Sequence, residues 1–139
     1  MASGIYLPAV RALAVGSIDF DTDTFKVMLV TSSYTPDFDA HDFRNDITNE
    51  ITGTGYTAGG NSATITVAAI DTVNNRLDIT LGGTTWSTST ITARGAVYYK
   101  SRGGASSADE VIGFNDFGSD ISTTTGTFTL SASTLRIAL

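Results

Sequence analysis

The chain holds one histidine, His41, with Asp39 and Asp42 close beside it and many serines elsewhere. Those residue types are the parts of a Ser–His–Asp nucleophile, which needs a serine raised on a tight turn such as Gly-x-Ser-x-Gly. No serine here has that setting, so His41 reads as a surface residue of a polar loop. Asp19, Asp21 and Asp23 have the alternating spacing that opens a calcium loop. Its sixth position is Thr24 where glycine is needed, and its twelfth is Val30 where a bidentate glutamate is needed. Local Asx-turn hydrogen bonding before a strand accounts for the cluster without a metal.

Asp37, Asp39, Asp42 and Asp46 form a second acidic group, which reads as a solvated face. Acid–base chemistry by two carboxylates depends on their separation in space, which spacing along the chain does not supply. The glycines of residues 53–60 lack the spacing of a dinucleotide fingerprint and the Gly-Lys-Ser/Thr ending of a phosphate loop. Trp86 follows two glycines and two threonines. It suits sugar stacking, but a tryptophan beside a strand reads first as a core or interface anchor. No catalytic residue, metal ligand set or cofactor is therefore expected, and the chain is not expected to be an enzyme. Binding is better served. Tyr34, Phe38, Phe43 and Tyr56 punctuate an otherwise polar stretch, as interface hot spots do. They are the candidate partner-binding residues; the competing reading has the same rings pinning the loop onto its own domain.

These residues need elements to hold them. Residues 5–16 have helical spacing of Ile5, Leu7, Val10, Leu13 and Ala14, with Pro8 for the first turn and Gly16 as a stop. This makes residues 1–18 an N-terminal helical segment whose apolar stripe packs on its own domain or on a neighbouring subunit. Residues 25–30 form a strand apolar enough to be covered on both faces. Residues 32–60 are a long loop region, in which a short helix is an alternative. Strands follow at 63–73, 76–81, 91–100, 111–117, 126–131 and 134–139, with Asn74-Asn75 as a hairpin turn. The expectation is a mainly β, single-domain antiparallel β-sandwich or barrel spanning residues 1–139, with a short N-terminal helix.

Composition agrees. One domain fits 139 residues, and abundant threonine with few charged residues favours strands over helices. The net charge is −6. Such a surface repels nucleic acid and anionic lipid, so neither is an expected partner. There is no cysteine, which removes disulfides and thiolate metal sites. No apolar run is long enough for a membrane helix. The apolar start lacks a preceding basic segment, so a signal peptide is not expected.

Four blocks in order carry a family resemblance. The first runs from Phe25-Lys26-Val27 through Tyr34-Thr35-Pro36-Asp37-Phe38 to His41-Asp42-Phe43. The second runs from Glu50-Ile51-Thr52 to Tyr56-Thr57-Ala58-Gly59-Gly60, and the third from Trp86-Ser87-Thr88 to Val97-Tyr98-Tyr99-Lys100. The fourth is Gly113-Phe114-Asn115-Asp116-Phe117-Gly118. Together they resemble small virion proteins of tailed bacteriophages, similar to capsid decoration (cement) proteins or, in some genomes, to tail components. Residues 101–110 depart as a variable loop. The resemblance implies a β-rich fold, no enzymatic activity, assembly as a homo-oligomer with a trimer favoured, and the major capsid protein or another virion protein as partner. It places the chain on the virion, with the capsid surface favoured. A tail or baseplate structural protein is the alternative, and a carbohydrate-binding or adhesin module is a third reading.

Overall fold

The structure is a computed structural model that describes residues 2–139. Ten strands and one helix follow in the order β1 (Gly4–Ile5), α1 (Leu7–Ala14), β2 (Phe25–Val30), β3 (Asn61–Ala63), β4 (Ile65–Val67), β5 (Arg76–Leu81), β6 (Thr84–Ser89), β7 (Thr92–Lys100), β8 (Val111–Ser122), β9 (Gly126–Leu130) and β10 (Ser133–Ala138). All pairings are antiparallel. The main sheet has the order β1-β8-β7-β2-β3, and two smaller sheets have the orders β10-β5-β4 and β6-β9. The architecture is mainly β and sandwich-like, with one short helix near the N-terminus.

The strands at the centre of the main sheet, β2 and β7, are covered on both sides. Successive side chains of a strand point to opposite faces, so adjacent tyrosines report on both layers. The Tyr98 hydroxyl donates to Gly82 O at 3.0 Å, and Phe117 of β8 meets Phe128 of β9 at 6.1 Å. The smaller sheets therefore close that face. Tyr99 points the other way, where the Arg44 guanidinium lies 5.1 Å from its ring centre. Tyr34 packs edge-on against Phe114 on the same side. Residues 31–60 thus roof the second face.

Several boundaries differ from the expected ones. The strand expected over 63–73 is two short strands in different sheets. β3 pairs with β2 and β4 pairs with β5, so the chain changes layer at Thr64. Gly60 precedes that crossing with φ +73°, and a Cβ there would collide with Val27 O. The 71–76 connection is a wider turn than a two-residue hairpin. Asp71 and Arg76 bridge it, Asp71 Oδ1 accepts from Val73 and Asn74 N–H, and Asn75 takes φ +53°. β6 is an extra strand, recruited by pairing with β9 although Thr and Ser fill it. β8 runs on to Ser122 as the partner of the whole of β7. The 32–60 region is a loop with one short 3-10 turn at Arg44–Asp46.

The helix ends as expected. Gly16 takes φ +79°, Ser17 N–H donates to Ala12 O at 2.8 Å and Gly16 N–H to Leu13 O at 3.3 Å, a Schellman ending. Its packing face is the surprise. Ala9 and Ala12 are buried against the domain, while Leu7 and Val10 are 58% and 49% exposed. Small side chains let the helix lie close to its own domain, and part of the larger apolar stripe turns outward.

Candidate functional site

The long loop is held by a set of buried hydroxyls. Tyr6 and Tyr34 share a 2.7 Å hydrogen bond, and the Tyr34 hydroxyl also contacts His41 Nδ1 at 3.0 Å. Asp37 N–H reaches the same nitrogen at 3.4 Å. His41 is therefore half-buried and braces the loop onto the start of the chain. Neither contact on that nitrogen comes from a serine or a carboxylate. Further along, Glu50 Oε1 accepts from the Tyr56 hydroxyl at 2.7 Å and from Gly59 N–H at 2.6 Å, while Leu29 N–H donates to the Tyr56 oxygen at 3.0 Å. Glu50 thus anchors the glycine-rich bend to β2.

The structure places the four candidate partner-binding residues unequally. Tyr34 is fully buried, so no partner of the folded chain can reach it. Phe38 is half-buried and packs on Tyr6 at 5.3 Å between ring centres. Tyr56 is half-buried, engaged by Glu50 and tilted against Trp86 at 5.9 Å between ring centres. Phe43 is half-buried where its backbone bridges to Glu110. Tyr34 and Tyr56 hold the loop from inside, and what remains reachable of the set is the outer edges of Phe38, Phe43 and Tyr56. Trp86 is 3% exposed, wedged between Tyr56 and Phe128. It has no free face for a sugar.

The acidic groups have local tasks. Asp19 Oδ1 accepts from Asp21 N–H, and Asp23 pairs with Lys100 at 2.7 Å. Burial pushes the Asp23 carboxyl up, but the Lys100 ammonium and the Asp19 N–H outweigh it and hold the group below its ordinary value. Asp46 accepts from Asp42 and Phe43 N–H, closing the turn before Arg44–Asp46. Partial burial and the neighbouring Asp46 carboxyl raise Asp42, whereas those two N–H groups, working against burial, keep Asp46 low. Among the described residues no group of three or more His, Asp or Glu side chains is arranged to hold a metal ion. An open groove of about 530 Å³ beside Glu50 is lined by six threonines. Its one carboxylate, Glu50, is already engaged by Tyr56 and Gly59.

One buried ion pair ties two loops together. Arg44 Nε meets Asp109 Oδ2 at 2.9 Å, with Asp109 only 1% exposed, and Arg102 N–H donates to Asp109 Oδ1 at 2.8 Å. The 101–110 loop is thereby locked to the aromatic loop. No signal in the sequence paired Arg44 with Asp109, because 65 positions separate them.

What the surface does offer is bare apolar side chains grouped in two places, with Ile121 exposed singly elsewhere. One is the helix face with Leu7 and Val10. The other is the end of the β10-β5-β4 sheet, where Ile70 and Val73 are 77% and 88% exposed beside Val67, Ile137 and Leu139. The geometry defines a mainly β, sandwich-like domain whose polar clusters serve its own fold. No family model, no curated protein and no solved structure matches the chain.

Proposed function

We propose that this chain is a non-enzymatic structural protein of a tailed-phage virion, a capsid decoration (cement) protein that binds the major capsid protein as a homo-oligomer, with a trimer favoured. The observation that carries the reading is the pair of bare apolar surfaces on a domain whose core is already closed. Exposed apolar patches mark association surfaces in soluble proteins. Two of them on one small domain suit a part that touches its own copies and another protein. Contacts that are individually weak then add through multivalency across a repeating shell. The resemblance of the four sequence blocks supplies the virion and its capsid. The covered ring of Trp86 weighs against the adhesin reading.

The test is binding of the purified chain to expanded, undecorated capsids of the parent phage, followed by image reconstruction. The expected result is saturable cosedimentation with density on the outer shell. Label found only on the tail or baseplate of intact virions overturns the capsid reading in favour of a tail component.

A further inference from the structure

The second layer leaves one long, regular strand margin open. β10 meets β5 in unbroken register, from Ser133 opposite Leu81 to Ala138 opposite Arg76, and nothing pairs with its other side. In an antiparallel pair, alternate residues turn their N–H and C=O towards the partner. Leu139 N–H donates to Asn75 O at 3.1 Å, and Asp78 O, opposite Arg136, accepts from Ala68 N–H on the β4 side at 3.0 Å. These two bonds fix the phase. Ser133, Leu135 and Ile137 face β5, whereas Thr134, Arg136 and Ala138 turn their backbone groups outward. Among the described residues no loop backbone closes on them. The other margins are short, covered or irregular. β1 has two residues, and β3 and β4 have three each. Asn61 Nδ2 donates to Thr85 O of β6 at 2.9 Å, Ser3 Oγ accepts from Asp116 N–H of β8 at 2.8 Å, and the β6-β9 pair is bulged between Trp86 and Ser89. Proteins guard long free edges with lysine, proline or a bulge, and β10 has none of these. Its one charge, Arg136, is held by Asp78 at 2.7 and 3.1 Å. Along this margin the two layers stand apart, and a cavity of about 250 Å³ opens between Ile5 of β1, Tyr98, Leu81 and Leu135.

We infer that the β10 margin is a strand-addition site, filled by an extended segment of another protein that pairs antiparallel to β10 and sends an aliphatic side chain into the cavity. The backbone specifies this occupant. Outward donors and acceptors recur every second residue, about 7 Å apart, and another extended backbone matches that repeat. Antiparallel addition sets the residues opposite Thr134 and Arg136 to exchange hydrogen bonds with them. The residue opposite Leu135 then shares the inward face of that buried side chain and meets the apolar cavity. A second copy fits poorly. Its free regular margins, β10 apart, are two or three residues long. β10 laid antiparallel on β10, centred to use all three outward residues, places Arg136 directly opposite its twin, and like charges so placed destabilise the pair. The site does not depend on which protein supplies the strand, nor on that protein belonging to a virion.

The test uses synthetic peptides Lys-Thr-x-Thr-x-Thr-x-Thr-Lys, with x leucine, isoleucine or alanine, titrated to about 1 mM into the full chain and followed by amide NMR. The Thr134, Arg136 and Ala138 amide signals are expected to shift, and their hydrogen exchange to slow at least about tenfold. Leucine or isoleucine at x is expected to bind at least about tenfold more tightly than alanine, because the larger side chain fills the cavity. N-methylation of the peptide's threonine nitrogens is expected to abolish binding, since those N–H groups face β10. Methylation at x, whose N–H faces water, is expected to spare it. Thr134→Pro removes one outward N–H and no bond to β5. It is expected to keep the wild-type circular dichroism spectrum and to bind no peptide, and the methylated peptides decide if that variant misfolds. Peptides that shift no β10 amide overturn the proposal, as does binding that survives methylation at threonine. So does a wild type that sediments above 14.5 kDa and returns to that mass in Thr134→Pro, which gives the margin to a second copy.

Discussion

All five tyrosines of the chain are placed where a hydroxyl is needed inside rather than outside. Burial raises every one of them above the ordinary tyrosine value, Tyr34, Tyr98 and Tyr99 to about 12, and Tyr6 and Tyr56 further. In the unfolded chain a tyrosine titrates near about 10. A group whose folded value is raised contributes stability that is complete below the unfolded value and is lost as the pH rises towards the folded one. Stability is therefore expected to hold up to about pH 10 and to fall steeply between about 10 and about 12. Phenolate absorbance and sheet circular dichroism, followed together in an alkaline titration, check this. Phenolate is expected to appear only as the sheet signal is lost. A tyrosine ionising near pH 10 in an intact fold contradicts the burial described for it.

At the scale of elements, the two loops that roof one face of the main sheet depend on each other. The 31–60 segment has few strand pairings of its own and is held by the Tyr6–Tyr34–His41 contacts, by Glu50, and by Arg44 on Asp109. Asp109 is buried and takes hydrogen bonds from both Arg44 and Arg102 N–H, so its loss strands a half-buried guanidinium over Tyr99. Breaking such a pair on one side costs about 3 kcal/mol. Asp109→Ala is expected to lower stability by about that amount in urea denaturation. Hydrogen exchange should quicken at Arg44 and Ile47, whose amides bond within this cluster, more than in β2 and β7. Exchange that quickens equally everywhere would mean that the loops are not a separate cooperative unit.

For the whole molecule the governing feature is an acidic body with bare apolar zones. Salt shortens the range of repulsion between copies, from a screening length of about 30 Å at 0.01 M to about 8 Å at physiological strength. Apolar contact is not weakened by the same change. Association is expected to strengthen as sodium chloride rises from about 0.01 M to about 0.5 M, read as a shift in sedimentation towards the larger species. Dissociation by salt would instead mean that ion pairs hold the copies together.

The fold class was legible because it rests on local patterning. Alternation in Arg76–Leu81, the doubly apolar run Phe25–Val30 and the glycine stop after the helix are each set by neighbours in the chain. The turn chemistry of Asp19 was legible for the same reason, since an Asx side chain bonds to backbone two residues on; that of Asp71 was not, because the apolar pattern carries a strand through residue 73 and hides the turn. What depends on distant partners was not. β6 is a strand because β9 pairs with it, and the run after Gly60 splits at Thr64 because two sheets compete for it. The helix stripe looked like a packing face, yet the small residues Ala9 and Ala12 took that place because they allow a closer approach to the sheet. The aromatic residues of the long loop carried the right chemistry for either a core or an interface. Only the tertiary structure put Tyr34 inside, by supplying Tyr6 and His41 for its hydroxyl. It also left Ile70 and Val73 outside, because the sheet that bears them outruns the core beneath it.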